Sequence, residues 1–181
     1  MMENLDDLLN HNVGIKVISE IANLANNDLE FAKKIFSYIF DNNILIAKNA
    51  CWAFTHVDNN IEHFFKEKDN LENRILSTKN KAIIRLCMVI LLKLDFTEEN
   101  INSEFLDFCL SGITSPEFEP GIRSNMIKLA YKQSKFFPEL VSELITILNM
   151  LEPSLCSQAI ISSKNQIMKL IKGEYKNKKM S

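Results

Sequence analysis

Two histidines, an aspartate and a glutamate fall close together in the stretch H-V-D-N-N-I-E-H, residues 56–63. His56, Asp58, Glu62 and His63 are residue types that ligate zinc, which takes nitrogen, sulfur or oxygen donors in a tetrahedron. Their spacing argues against that use. Glu62 and His63 are neighbours at the start of a predicted helix, so they diverge by about 100°. The chain carries neither an H-E-x-x-H pair nor the Cys/His spacings of zinc modules. The cluster reads as a polar turn, and no metal is expected.

Other chemistries fare no better. Cys51, Cys87, Cys109 and Cys156 are scattered, with no C-x-x-C pair. All four sit inside predicted helices, where a free thiol behaves as a small hydrophobe. The four glycines are too dispersed for a phosphate-cradling loop, and no Ser or Cys lies in a nucleophile motif. No catalytic residue and no cofactor are assigned, so a non-enzymatic protein is expected. Trp52, the single tryptophan, stands four residues after Lys48. Such a ring can stack a base, anchor a peptide side chain, or pack half-buried between helices.

The elements that position these residues read as helices throughout. Apolar residues make up 46% and charged residues 24% of 181, which fits a soluble globular domain. Only four Gly and four Pro are present. All-β folds spend those residues on turns, so their scarcity favours helices joined by short Asn/Asp turns. Helical spacing runs from near residue 13 to near 172, and no run shows two-residue alternation. It breaks at 26–28, 41–43, 57–60, 77–80, 94–97, 115–120 and 152–154, with Asp28, Asn43, Asn80 and Thr97 as N-cap candidates. Connections this short make neighbours antiparallel. First helices are predicted near 29–40, 60–76 (broken around Asp69), 98–111 and 137–151. Second helices fall near 44–56, 80–93, 121–133 and 154–172. Residues 3–9 and 13–25 form a cap.

Internal periodicity sharpens this. The segments GIKVISEIAN, IAKNACWAF, IIRLCMVIL, GIRSNMIKLA and SLCSQAIIS superimpose on Lys16, Lys48, Arg85, Arg123 and Cys156, spaced by 32, 37, 38 and 33. An apolar residue precedes each anchor: Ile15, Ala47, Ile84, Ile122 and Leu155. Three residues after it stand Ser19, Cys51, Met88, Met126 and Ala159, and six after it Ala22, Phe54, Leu91, Leu129 and Ser162. These positions share one helix face. Ile84, Met88 and Leu91 are therefore predicted in the core.

With these residues in place, the sequence resembles the HEAT/armadillo-like helical repeat family. The stretch D-N-N-I-L-I-A-K-N-A-C-W-A-F, residues 41–54, matches the second-helix pattern best, with Asp41 as turn acid and Lys48 as base. The resemblance covers roughly residues 29 to 170. It departs from the pattern where Cys156 replaces the last base and where the first helices lack the family's proline. It implies an all-α, right-handed α-α superhelix (solenoid) of about four to five antiparallel helix pairs. Residues 1–173 would form a single helical-repeat domain, and 174–181 a basic, frayed tail.

Charge is sorted by layer. Segments 13–27, 44–57, 79–95, 121–135 and 153–181 hold 16 Lys/Arg against three acids, while the rest holds five bases and 20 acids. The resemblance puts second helices on a concave face, which would then be a basic groove that concentrates anions. Helix dipoles give a plainer account, since acids gather at helix starts and bases at ends. Positions five, eight and nine after the anchors point away from the predicted core. That makes His56, Lys93, Lys128, Tyr131, Lys132 and Lys164, with Trp52, the expected ligand-facing residues. The anchors Lys48, Arg85 and Arg123 would bridge repeats.

The expected function is a scaffold binding a protein or peptide partner, acidic in character, on that face. The alternative is nucleic-acid binding or DNA repair, by architectural similarity to HEAT-like alkylpurine DNA glycosylases. Trp52, Asp58, Asp95, Arg85 and Arg123 are available for that, but no motif aligns and none is assigned catalysis. A third option is an oligomer component docking end to end. The acidic start MMENLDDLLN lacks the basic region of a secretory signal, and the longest apolar run, 86–92, cannot span a bilayer. No membrane role and a cytoplasmic location are expected.

Overall fold

The computed structural model describes residues 5–178, with side chains through Gly173. Regular structure among them is ten α-helices and four short 3₁₀ segments, with no strand. The all-α expectation holds. The chain divides into two compact units, one ending at Leu94 and the other starting at Asp95.

The first unit contains α1 (Leu5–Leu9), α2 (Ile15–Asn27), α3 (Leu29–Ser37), α4 (Ile44–Phe54), α5 (Lys68–Ser77) and α6 (Lys81–Lys93). A 3₁₀ turn, Tyr38–Phe40, extends α3, and another, Ile61–Glu67, leads into α5. The predicted break near Asp69 is this change of helix type. Helices α2 and α4 pack together, as do α4 and α6, while α3 lies on α2 and α4, and α5 on α6. Local side chains set the helix starts. The Asp28 carboxylate accepts from Phe31 N–H, Asn43 Oδ1 from Leu45 N–H, and Asn80 Oδ1 from both Ala82 and Ile83 N–H. Rings of Phe36, Phe54 and Phe64 meet at 4.8–5.0 Å between centroids, so first and second helices share one aromatic core.

The second unit contains α7 (Ser103–Thr114), α8 (Pro120–Ser134), α9 (Pro138–Asn149) and α10 (Gln158–Lys178). Helices α7 and α9 pack together, α8 lies against both, and α10 lies mainly on α8. Thr97 caps a 3₁₀ turn, Glu98–Asn100, rather than α7, whose cap is Asn102 accepting from Phe105 N–H. Gly112 leaves room for the Met126 thioether, and Ser124 and Ser163 hydroxyls bond at 2.6 Å across the buried α8–α10 seam.

The repeat phase holds in the three middle copies. Ala47, Cys51 and Phe54, then Ile84, Met88 and Leu91, then Ile122, Met126 and Leu129 are all buried. It fails at the ends. Ile15 is 57% exposed and Ser19 exposed, because α2 turns Ile18, Ile21, Ala22 and Ala25 inward. Leu155 is 79% exposed, since it lies in a 3₁₀ turn before α10, whose buried face is Ile160, Ser163, Ile167 and Ile171. Residues three apart share a helix face, so periodicity alone does not distinguish a register from one shifted by a turn. The last helix also runs later than the predicted 154–172. Residues 174–178 of the expected tail belong to it, while 3–4 and 179–181 lie outside the described residues. No helix among the described residues is long and apolar enough to cross a membrane.

Candidate functional site

Helix α4 presents Lys48 and Trp52, one turn apart on the same flank, and the turn that follows it adds Thr55 and His56. Facing them, α6 presents Ala82, Arg85, Leu86 and Val89. Between the two flanks lies an open groove of about 450 Å³, within the size range of ligand sites. Its apolar surface is Leu86, which is buried, with Ala82, Val89 and the half-buried Trp52 ring. Its cationic edge is Lys48, half-buried, and Arg85, exposed, with the His56 imidazole also exposed. No carboxylate lines it, and neither Lys48 nor Arg85 has an ion-pair partner among the described residues. The Thr55 hydroxyl donates to the Trp52 carbonyl at 2.7 Å and so closes the last turn of α4. Next to Trp52 and Leu86 in sequence, the buried sulfurs of Cys51 and Cys87 approach to 3.6 Å. Cys87, hydrogen-bonded to it, and burial push the Cys51 thiol well above its ordinary value.

Of the seven residues expected to face a ligand, Trp52 and His56 share this groove. Lys93 lies outside its lining: its ammonium donates to Asp58 Oδ1 at 2.6 Å and to the Val57 carbonyl at 3.0 Å, fastening the loop after α4. Asp58 is thus ion-paired with Lys93, and no three His, Cys, Asp or Glu converge as metal ligands among the described residues. In the second unit Lys128 is half-buried, and Lys164 donates to the Leu151 carbonyl at 3.2 Å. Lys132 sits with its ammonium 5.4 Å from the centre of the Phe96 ring, and burial lowers its pKa. Tyr131 corrects the expectation that it points outward, since it is buried. Helix α8 is covered by α7, α9 and α10, so its outward face is narrower than a helical wheel implies. The anchors also divide. Arg123 has a structural bond, Nε–H to the Ile113 carbonyl at 2.7 Å, whereas Lys48 and Arg85 open onto the groove.

A family model for the HEAT repeat domain matches residues 5–171. This chain belongs to the HEAT repeat family. No curated protein and no solved structure matches it. In a HEAT arrangement α3–α4, α5–α6, α7–α8 and α9–α10 are the successive pairs, preceded by the incomplete α1–α2. The groove therefore lies between the second helices of the first two complete pairs. Lys48 and Arg85, which the sequence pattern marks as repeat anchors, are its cations. The placing of Lys48 and Trp52 at i and i+4 is the sequence signal for the site. A second cavity of about 560 Å³ lies among Lys33 and Phe36 of α3 and Phe40, His63, Phe64 and Glu67 of the two 3₁₀ turns. It mixes both charge signs, and nothing in the sequence pattern marks it.

Proposed function

We propose that this HEAT repeat protein is a non-enzymatic scaffold that holds an acidic protein or peptide segment in the α4–α6 groove. The observation that carries the reading is an indole and two cations without carboxylate partners, converging in a groove with no acid in its lining. An aromatic anchor inside a cationic rim is the composition of an interface hot spot. Trp52 would receive an apolar side chain, while Lys48 and Arg85 would pair with flanking carboxylates. The excess of bases on second helices supports a cationic role for Lys128 in the second unit as well. Lys93, Lys132 and Lys164 would act mainly by holding loops and packing. Buried thiols at Cys51 and Cys87 are compatible with a reducing compartment such as the cytoplasm.

The sole tryptophan makes the test direct. A peptide of four glutamates flanking one phenylalanine should change Trp52 fluorescence on titration, and its four-lysine counterpart should not. Trp52→Ala, and Lys48→Glu with Arg85→Glu, should each weaken binding by about thirtyfold or more, the scale of a hot-spot residue. Equal affinity of the charge-reversed protein would sink the reading. Nucleic acid is the second reading, because an indole beside Lys and Arg is also a platform for single strands. Tighter binding of an oligothymidylate than of the acidic peptide, with steep salt dependence, would favour it.

A further inference from the structure

Cys51 on α4 and Cys87 on α6 are both fully buried thiols, 3.6 Å apart at sulfur. A disulfide needs its sulfurs at about 2.05 Å and its Cβ atoms roughly 3.5–4.5 Å apart. Closing the remaining gap is within reach of side-chain rotation and a small helix shift. Each sulfur is one residue away from a wall of the groove, Trp52 on one side and Leu86 on the other.

We infer that Cys51 and Cys87 are a modification site: a hydroperoxide converts them to a disulfide that clamps α4 to α6 beneath the groove. The first step is attack of one thiolate on the peroxide O–O bond. That sulfur is oxidised to a sulfenic acid, and the distal oxygen leaves, reduced, as water or an alcohol. The second sulfur then displaces hydroxide, which takes the second thiol's proton and departs as water. With hydrogen peroxide, two thiols yield one disulfide and two waters. Burial of both sulfurs, and the proton that Cys51 retains, make the reaction slow and dependent on transient separation of α4 from α6. A ligand bridging both helices would hold them together and slow it further. The cross-link stands by itself, while its consequence for binding rests on the groove reading above.

The full chain would be treated with hydrogen peroxide under native conditions and mapped by peptide mass spectrometry without reduction. The expected product is a Cys51–Cys87 cross-linked peptide. Its appearance should track a change in Trp52 emission, since a disulfide beside an indole quenches it, and dithiothreitol should reverse both. Oxidation confined to the half-buried Cys156, or a cross-link seen only in denaturing urea, would overturn the inference. Cys51→Ala and Cys87→Ala should each abolish the emission change; should either fail to fold, the wild-type map decides alone. The oxidised form should bind the glutamate–phenylalanine peptide about fivefold or more weakly than the reduced form, a typical coupling between sites. Equal affinities would overturn the regulatory consequence. A reduced form that ignores the peptide would sink the groove reading and leave the cross-link result intact.

Discussion

Lys68 and Glu72 meet inside the first unit, 2% and 0% exposed, with Nζ 2.8 Å from Oε2. Asp69, which is exposed, contributes a second carboxylate 2.9 Å from the same ammonium. Removing one partner strands a buried charge, so Lys68→Ala should cost about 3–5 kcal/mol, measured by urea unfolding. Changing both Lys68 and Glu72 to methionine should cost far less, because an apolar pair of similar volume leaves no buried charge behind, Asp69 being exposed. Lys132 behaves differently. Its folded pKa lies below the usual 10.5, chiefly through burial, although Asp95 opposes the shift. The unfolded chain therefore binds that proton more tightly, and stability at this site rises with pH towards 10.5. Lys132→Met should match or exceed the parent's melting temperature at neutral pH, and its advantage should shrink as the pH approaches 10.5. An advantage that grew with pH would contradict the sign.

Helices begin where the sequence places an acceptor. Asn80 Oδ1 serves two amide groups at the start of α6, so Asn80→Ala should cost about 1 kcal/mol, while Asn80→Asp should be nearly neutral. The body of α6 is apolar nearly all round, and Ile83, Ile84, Cys87, Met88, Ile90 and Leu91 are buried. Leu91→Ala should cost about 2–5 kcal/mol in chemical denaturation, as full burial demands. A loss below about 0.5 kcal/mol would be the signature of a surface position. Packing also decides what propensity does not. The approach to α5 winds as 3₁₀ over Ile61–Glu67, which sets Phe64 against Phe36 and Phe54.

In repeat proteins each repeat packs mainly on its neighbours, so stability should vary along the chain within each unit. Native-state hydrogen exchange should find its strongest protection in α4 and α6 of the first unit and α8 of the second, where buried residues are densest. Amides of the short α1 should exchange fastest among the α-helices. Uniform protection along the chain would argue against this repeat-by-repeat behaviour. The sequence by itself determined the helical class, the caps Asp28, Asn43 and Asn80, and the core phase of the middle copies. Each depends on interactions within a few residues or on a spacing of about 3.6. The end registers, the burial of Tyr131, and the fastening of Lys93 on Asp58 were decided by tertiary structure. A helical wheel gives the direction of a side chain, but not which helix or loop covers it. The groove stands between these cases. Lys48, Trp52 and Arg85 were visible as a pattern, but only the packing of α4 on α6 brought them to one surface and set Cys51 against Cys87 beneath it.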